Sequence, residues 1–323
     1  MKCDIFISAY NAADRIGDTL ASLKEEIETS SFPRENLRVV LINNASTDAT
    51  KEVASSFHDQ MPLEIIDAPE PGKSKALNLT IQKYLKGDVV FLTDDDVFFQ
   101  DGWLDNFLKA IESQPDYSVF AGRIVGAWEK EVDPDLASWI PMGSTFAIHE
   151  RTESGPCDPG IAWGPNMAIR RSVLDAGIRY DERIGPTPDA FYAMGEDSGF
   201  AISAQRNGFK SYYVSDAVVR HKIKAASANE DWIIRRAERL GYGIFAIKTV
   251  EEYARKQRQF SNILPLSLEI LILRLFWGLV YPATFLLPRC KQRFWLRWRS
   301  YYYKGLLSGF QSFTSHQACD EQK

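Results

Sequence analysis

With 323 residues, 45% of them hydrophobic, the chain can bury a large core, which excludes a disordered polypeptide and allows one large domain or two smaller ones. A net charge of −5 provides no bulk field for nucleic acid, so no nucleic-acid partner is expected. Cys3, Cys157, Cys290 and Cys319 lack a paired C-x-x-C spacing, which argues against a zinc site or a disulfide framework; with no charged leader and apolar signal core ahead of the first strand, a cytoplasmic protein is expected.

Residues 3–9 read as a buried strand and 13–28 as an amphipathic helix, with Ile16, Leu20, Leu23 and Ile27 at helical spacing. A second buried strand covers 37–42, and residues 43–48 (NNASTD) supply turn and cap residues before a helix over 49–57. A short strand over 63–66, a loop and helix over 72–84 and a fourth strand over 88–93 complete a strand–helix alternation, which implies a parallel sheet covered on both faces. Ligands of such sheets bind beyond the carboxyl ends of the strands, so Tyr10, Asn11, Asn43, Asn44, Lys73, Asp94, Asp95 and Asp96 are expected on one rim. Three consecutive carboxylates at the mouth of a sheet are costly unless a cation neutralises them, and Mg2+ or Mn2+ is the natural occupant; taken alone, the triplet is better read as a solvated acidic turn, and context must decide.

The second half reads as a helix over 103–113, a strand over 118–128 and an irregular Pro-, Gly- and Trp-rich stretch through 165, which suits an acceptor-binding half. The pair Glu196 and Asp197 precedes a helix to about residue 207 and a strand near 211–214. Ser227, Ala228, Asn229 and Glu230 fit a capping box that opens a helix through 239, with Gly241 and Gly243 expected to interrupt it. Residues 263–287 are strongly apolar with only Glu269 and Arg274 charged, and 289–304 carry six Lys or Arg and no acid. Two charges and Pro282 disfavour an ordinary spanning helix. A helix lying in the plane of the membrane or re-entering it, with basic headgroup anchors, is expected over 263–304, against the alternatives of a core helix or a dimer interface.

Several short motifs occur in a fixed order. Ser8, Ala9, Tyr10 and Asn11 match a P-T-Y-N-like turn, residues 43–48 a D-D/N-x-S-T-D turn, 72–78 a G-K/R-x-x-A-L-N segment, and Asp94, Asp95 and Asp96 a D-x-D element. Residues 164–171 match G-x-N-M-A-F-R-R, Asp181, Glu182 and Arg183 match part of F-D-E-R-L, and Gly195, Glu196 and Asp197 match G-E-D. In these the chain resembles a family 2 glycosyltransferase over roughly residues 1–258.

The resemblance implies a GT-A fold: an α/β, Rossmann-like, mixed and mainly parallel sheet flanked by helices. It divides the domain into a nucleotide-binding half (1–100) and an acceptor-binding half (101–258), with 259–323 left as a helical, membrane-associating extension on the cytosolic face. It also implies a nucleotide-sugar donor, a glycan or lipid-linked acceptor, Mn2+ or Mg2+, and inversion at the anomeric carbon. Asp96 becomes the expected metal ligand and Asp94 a contact to ribose or metal-bound water. The register is open by one residue, so Asp95 can replace either. His221 matches a late His that serves as an additional metal ligand in related enzymes. The absence of a Q-x-x-R-W element points to a non-processive enzyme.

The remaining roles follow from side-chain chemistry. Tyr10 offers a face for a nucleobase, with Asn11 beside it, and Asn43 or Asn44 can bind the base edge; Asn43 stands where the family usually has an acid, which leaves the base open. Lys73 can neutralise phosphate or touch the base. Asp197 is the expected general base and Glu196 orients it or the acceptor, although the pair alone also fits a helix N-terminus. Trp163, Asn166 and Arg123 are candidate sugar or acceptor contacts. Two other readings stand beside this one: a sugar-nucleotide pyrophosphorylase, which also uses a Rossmann-like half and acidic metal ligands but whose Gly-rich, Arg-containing first loop residues 8–15 lack, and a non-catalytic glycan-binding or scaffold protein on the same fold.

Overall fold

The computed structural model describes residues 1–189, 191–259 and 266–320. The chain divides into two compact units, Met1–Ala127 with Phe146–Glu182 and Glu196–Ile223, and Trp128–Thr145 with Arg183–Gly195 and Lys224–Lys323.

In the first unit β1 (Cys3–Ala9), α1 (Ile16–Thr29), β2 (Leu37–Asn44), α2 (Thr50–Ser55), β3 (Leu63–Ala68), α3 (Lys73–Tyr84) and β4 (Val89–Asp94) alternate as the sequence predicts. Successive strand residues point to opposite faces, so two cores form. Ile5 and Ile7 join Ile16, Leu20 and Leu23 of α1 on one side, while Phe6 joins Val40, Val90, Leu77 and Ile81 on the other. β1 pairs in parallel with both β2 and β4, and β2 with β3, giving the order β3-β2-β1-β4.

The sheet continues with antiparallel partners. β5 (Val97–Phe99), α4 (Trp103–Ser113), β6 (Tyr117–Trp128), β7 (Gly155–Pro156), β8 (Met167–Arg170), α5 (Glu196–Arg206) and β9 (Lys210–Ile223) follow in chain order, and β8 pairs antiparallel with β4 and β6. β5 and β7 pair antiparallel with β9. β9 is far longer than the expected strand near 211–214. Its last third, Arg220, His221 and Lys222, carries no apolar run because that stretch is only partly buried, so polarity hides a strand that β5 completes.

The second unit holds α6 (Glu230–Gln259), α7 (Leu266–Ala283) and α8 (Lys291–Asp320). Asn229 Oδ1 accepts from the Trp232 amide at 2.9 Å and caps α6; Ser227, the expected cap, falls in a 3-10 turn two residues earlier. α6 also runs unbroken through Gly241 and Gly243, contrary to the expected interruption. A Cβ on Gly241 would collide with the Tyr302 carbonyl of α8, and one on Gly243 with the Met194 carbonyl. Close backbone approach therefore explains both glycines, and helix packing offsets the roughly 1 kcal/mol each costs relative to Ala.

Residues 260–265, where the apolar segment was expected to begin, lie outside the described residues. Among the described residues no helix is long and apolar enough to cross a membrane. Cys3, Cys157 and Cys290 are free thiols.

Candidate active site

The strand order reverses between β1 and β4, and open α/β sheets bind ligands in the crevice at such a switch point. Ser8 lies opposite Asp94, and Ala9 opposite Asn43, so the turns after β1, β2 and β4 reach one rim. Asn11, at a φ of 46°, accepts from the Thr47 amide at 2.8 Å, while its own amide donates to Ser46 Oγ at 3.1 Å. The first two turns thus brace each other beside the half-buried Tyr10. Asn43 Nδ2 donates to Asp67 Oδ1 at 2.8 Å, and Asn44 Oδ1 accepts from the Gly72 amide at 2.9 Å, anchoring the entry to α3. Asp67, which ends up beside Asn43 through strand register, was not singled out from sequence.

The aspartate triplet is split by its neighbours. Asp95 turns back to α1: Arg15 Nε and Nη2 donate to its two oxygens, each at 2.9 Å, and Thr19 Oγ1 donates to its carbonyl at 3.0 Å. Both carboxylate oxygens are thereby engaged by Arg15. Arg15 looks like an ordinary helix-start residue, and only the fold brings it here. Asp96 Oδ1 lies 3.3 Å from His221 Nε2 and has no hydrogen bond of its own although buried. His221 Nδ1 donates to the Phe146 carbonyl at 2.7 Å, which orients the ring. Burial opposes charge on His221, but Asp96 and Asp94 outweigh it and push its pKa up to about 9.

Asp94, Glu196 and Asp197 meet on one lysine. Lys73 Nζ is 2.8 Å from Asp94 Oδ1, 3.5 Å from Glu196 Oε1 and 3.6 Å from Asp197 Oδ2. Burial works against the ammonium, yet Asp197, Asp94 and Glu196 together hold its pKa well above the usual lysine value. Asp197 is 8% exposed; its Oδ2 accepts from the Gly164 amide at 2.9 Å, and its Oδ1 is buried without a hydrogen bond. Burial raises its pKa first, Glu196 and Asp94 add to that, and Lys73 and the Gly164 amide pull back, leaving it at about 7. A carboxylate that ionises near neutrality is suited to accept a proton at working pH. The buried, unpartnered hydroxyl of Tyr180, whose ring stacks on Phe200 at 4.6 Å, feels the same charges; burial and then Asp197 hold its pKa far up.

Gly164 is required by this closeness. A Cβ there would stand 2.6 Å from Asp197 Oδ2 and 2.7 Å from Lys73 Nζ. Gly164→Ala is expected to displace both groups and to lower turnover roughly a hundredfold, as ångström-scale misplacement does. Unchanged turnover with an unchanged melting temperature would show that the contact is dispensable.

The acceptor candidates separate. Trp163 is half-buried immediately before Gly164, its ring 6.0 Å from that of His149. Asn166 is 0% exposed: its Oδ1 accepts from Trp103 Nε1 at 2.8 Å, and its Nδ2 donates to the carbonyls of Arg123 and Ala217, each at 2.8 Å. With no amide hydrogen left over, it ties α4, β6 and β9 together instead of facing an acceptor. The Arg123 Nε is buried without a hydrogen bond.

The sequence profile described as Glycosyl transferase family 2 matches residues 4–177. The glucosyl-dolichyl phosphate glucuronosyltransferase of Haloferax volcanii is 26% identical over 247 residues, 75% of this chain and 76% of that protein. Among solved structures, the mannosyltransferase PcManGT of Pyrobaculum calidifontis, in complex with GDP-Man and Mn2+, superimposes with a TM-score of 0.60 at 19% identity, covering 96% of this chain and 87% of that one. TarS of S. aureus in complex with UDP-GlcNAc superimposes with a TM-score of 0.53 at 18% identity, covering 97% and 92%. The fold is that of the GT-A glycosyltransferases.

Proposed function

Because the chain belongs to glycosyl transferase family 2, we propose that its rim site moves one sugar from a nucleotide-sugar donor to a hydroxyl of a glycan or lipid-linked acceptor, with inversion, Asp197 acting as general base. The observation that carries this reading is the meeting of Asp94, Glu196 and Asp197 on Lys73. The donor-side carboxylate and the proton acceptor thus share one cleft.

Tyr10 gives the nucleobase a flat partner, and the Asn43–Asp67 pair offers hydrogen-bonding groups to its edge. Lys73 brings a positive charge to where the diphosphate leaves. Of the two Asp197 oxygens, Oδ2 is anchored by Gly164 and Oδ1 is uncommitted, so Oδ1 takes the hydroxyl proton. The acceptor oxygen bonds to the anomeric carbon as the carbon–diphosphate bond breaks on the opposite face, which inverts the centre. Glu196 keeps Lys73 close to Asp197.

A divalent ion, Mn2+ or Mg2+, fits Asp96 and His221. The buried Asp96 Oδ1 has the His221 Nε2 beside it, at 3.3 Å, so an ion held by the two would take the place of the proton between them, and the imidazole is oriented through its other nitrogen, as in many metal-binding histidines. Among the described residues no third His, Cys, Asp or Glu joins them as a ligand set, so donor phosphate oxygens and water would complete the shell, as is usual for Mg2+. When bound, the ion neutralises charge on the departing diphosphate. The Mn2+ in the PcManGT complex and the lipid-linked glucoside in the name of the Haloferax relative support the metal and the acceptor class.

Calorimetric titration with UDP, GDP and TDP is expected to show one nucleotide whose binding tightens with Mn2+, and Asp96→Ala is expected to remove that gain. If no nucleotide binds in the presence of metal, the proposal fails.

A further inference from the structure

We propose that the second unit carries a membrane-docking ridge that inserts in the plane of an anionic lipid surface. Among the described residues, Met1, Tyr84 and Phe191 are the only strongly exposed large hydrophobic side chains outside 268–287. Within that stretch Leu268, Ile272, Leu275 and Leu279 follow an i, i+4, i+7, i+11 spacing and form one exposed stripe along α7. The chain then turns through Phe285 and Leu286. Leu279 at 79% exposure and Leu286 at 88% are the most prominent points. Soluble proteins seldom leave contiguous apolar surface of this kind uncovered.

Charge selects the occupant. The next residues are basic and aromatic: Arg289, Lys291 and Arg299 are exposed, and 289–304 contain no acid. Not every cation there is available. Arg289 is paired with Asp133 and Glu230, Lys304 with Glu238, and the buried Arg297 with Glu230 and Asp231, while the Arg293 and Arg297 guanidinium groups lie over the Phe285 ring at 5.9 and 5.3 Å, so that the exposed Lys291 is the cation on which the test turns. Arg293, which also donates to the Leu287 carbonyl at 3.2 Å, and the buried Arg297 fix the turn that presents Leu286. Apolar side chains flanked by Lys, Arg, Trp and Tyr are the composition of an interfacial helix, in which the stripe meets acyl chains and the cations meet phosphate. A second copy of this chain is the less suitable partner, because a two-fold contact would press the same basic flank against itself. Since α7 is not long and apolar enough to cross, the ridge lies on the surface.

The test is flotation of the full chain with vesicles of phosphatidylcholine alone and of phosphatidylcholine with phosphatidylglycerol in equal parts, at low and high salt. The wild type is expected to bind the mixed vesicles better than the neutral ones, and less so at high salt. Leu279→Glu with Leu286→Glu is expected to lower partition to both by roughly tenfold or more. Lys291→Glu is expected to lower binding to the mixed vesicles alone, also by roughly tenfold. All three positions are exposed, so melting temperatures and donor hydrolysis should be unchanged. Wild-type protein that does not float with mixed vesicles, or variants that float as it does, would overturn the proposal. So would a dimer, seen by light scattering, that the leucine variant dissociates without any vesicle binding. The assay reads partition and not transfer, so its failure leaves the proposed reaction standing.

Discussion

Asp197→Asn is expected to lower transfer by roughly 10^2–10^4, the usual worth of a positioned general base, while nucleotide binding survives. The amide keeps the volume and can still accept from the Gly164 amide, so the cleft should hold its shape. What disappears is the ability to take a proton. In the proposed reaction the same residue sets the pH dependence. Its pKa in the folded protein, about 7, is raised above the ordinary aspartate value of 3.8 chiefly by burial, so it is protonated below pH 7, where it cannot act as a base, and ionised above. Wild-type kcat/KM, which reports the free enzyme, should therefore fall as pH drops through about 7, not through the range of an ordinary carboxylate. The asparagine variant should show no such limb in its residual activity. Turnover equal to wild type, or a wild-type limb near pH 4, would remove Asp197 from the base role.

Lys73→Met should be the most destabilising single change in the site. It leaves Asp94, Glu196 and Asp197 clustered without the cation they share, and breaking a buried pair in this way costs about 3–5 kcal/mol. The sign with pH follows from the direction of each shift. The lysine pKa is raised in the fold, so its contribution is complete below the unfolded value near 10.5 and is lost as pH climbs through the higher folded one. Below about 7 Asp197 holds its own proton and needs the cation less. The stability gap between wild type and variant, measured by urea denaturation, should therefore be widest between about pH 7 and 10.5 and narrow at lower pH. Loss of Lys73 also removes a pull that lowers the Asp197 pKa, so any residual activity should show its acid limb at higher pH than the wild type. A pH-independent gap below 1 kcal/mol, on the scale of an exposed pair, would mean that the three carboxylates are stabilised without the lysine.

Much of this molecule is readable from neighbouring residues. The strands β1 to β4 appear as apolar runs, α4 has both of its predicted ends, and Tyr10, Asn43 and Asp94 stand at the carboxyl ends of β1, β2 and β4. Burial in a covered parallel sheet demands such runs, and the switch-point rule then places the turns on one rim. The glycines of α6 misled for the opposite reason: a gap in a helical pattern is identical in sequence whether it breaks the helix or admits another backbone, and Tyr302 lies in α8, far along the chain.

By itself, then, the sequence determined the elements from β1 to β4, their rim and the residue types gathered there, because periodic burial and turn chemistry act over a few residues. Only the tertiary structure decided which of those residues work together. The β5–β9 ladder places His221 opposite Val97 and so beside Asp96; α1 turns Arg15 onto Asp95; the approach of α5 to α3 sets Lys73 among Asp94, Glu196 and Asp197; and Asn166 is drawn inside. Each of these depends on strand register and helix packing between segments tens of residues apart, and a buried charge finds its partner through that geometry alone.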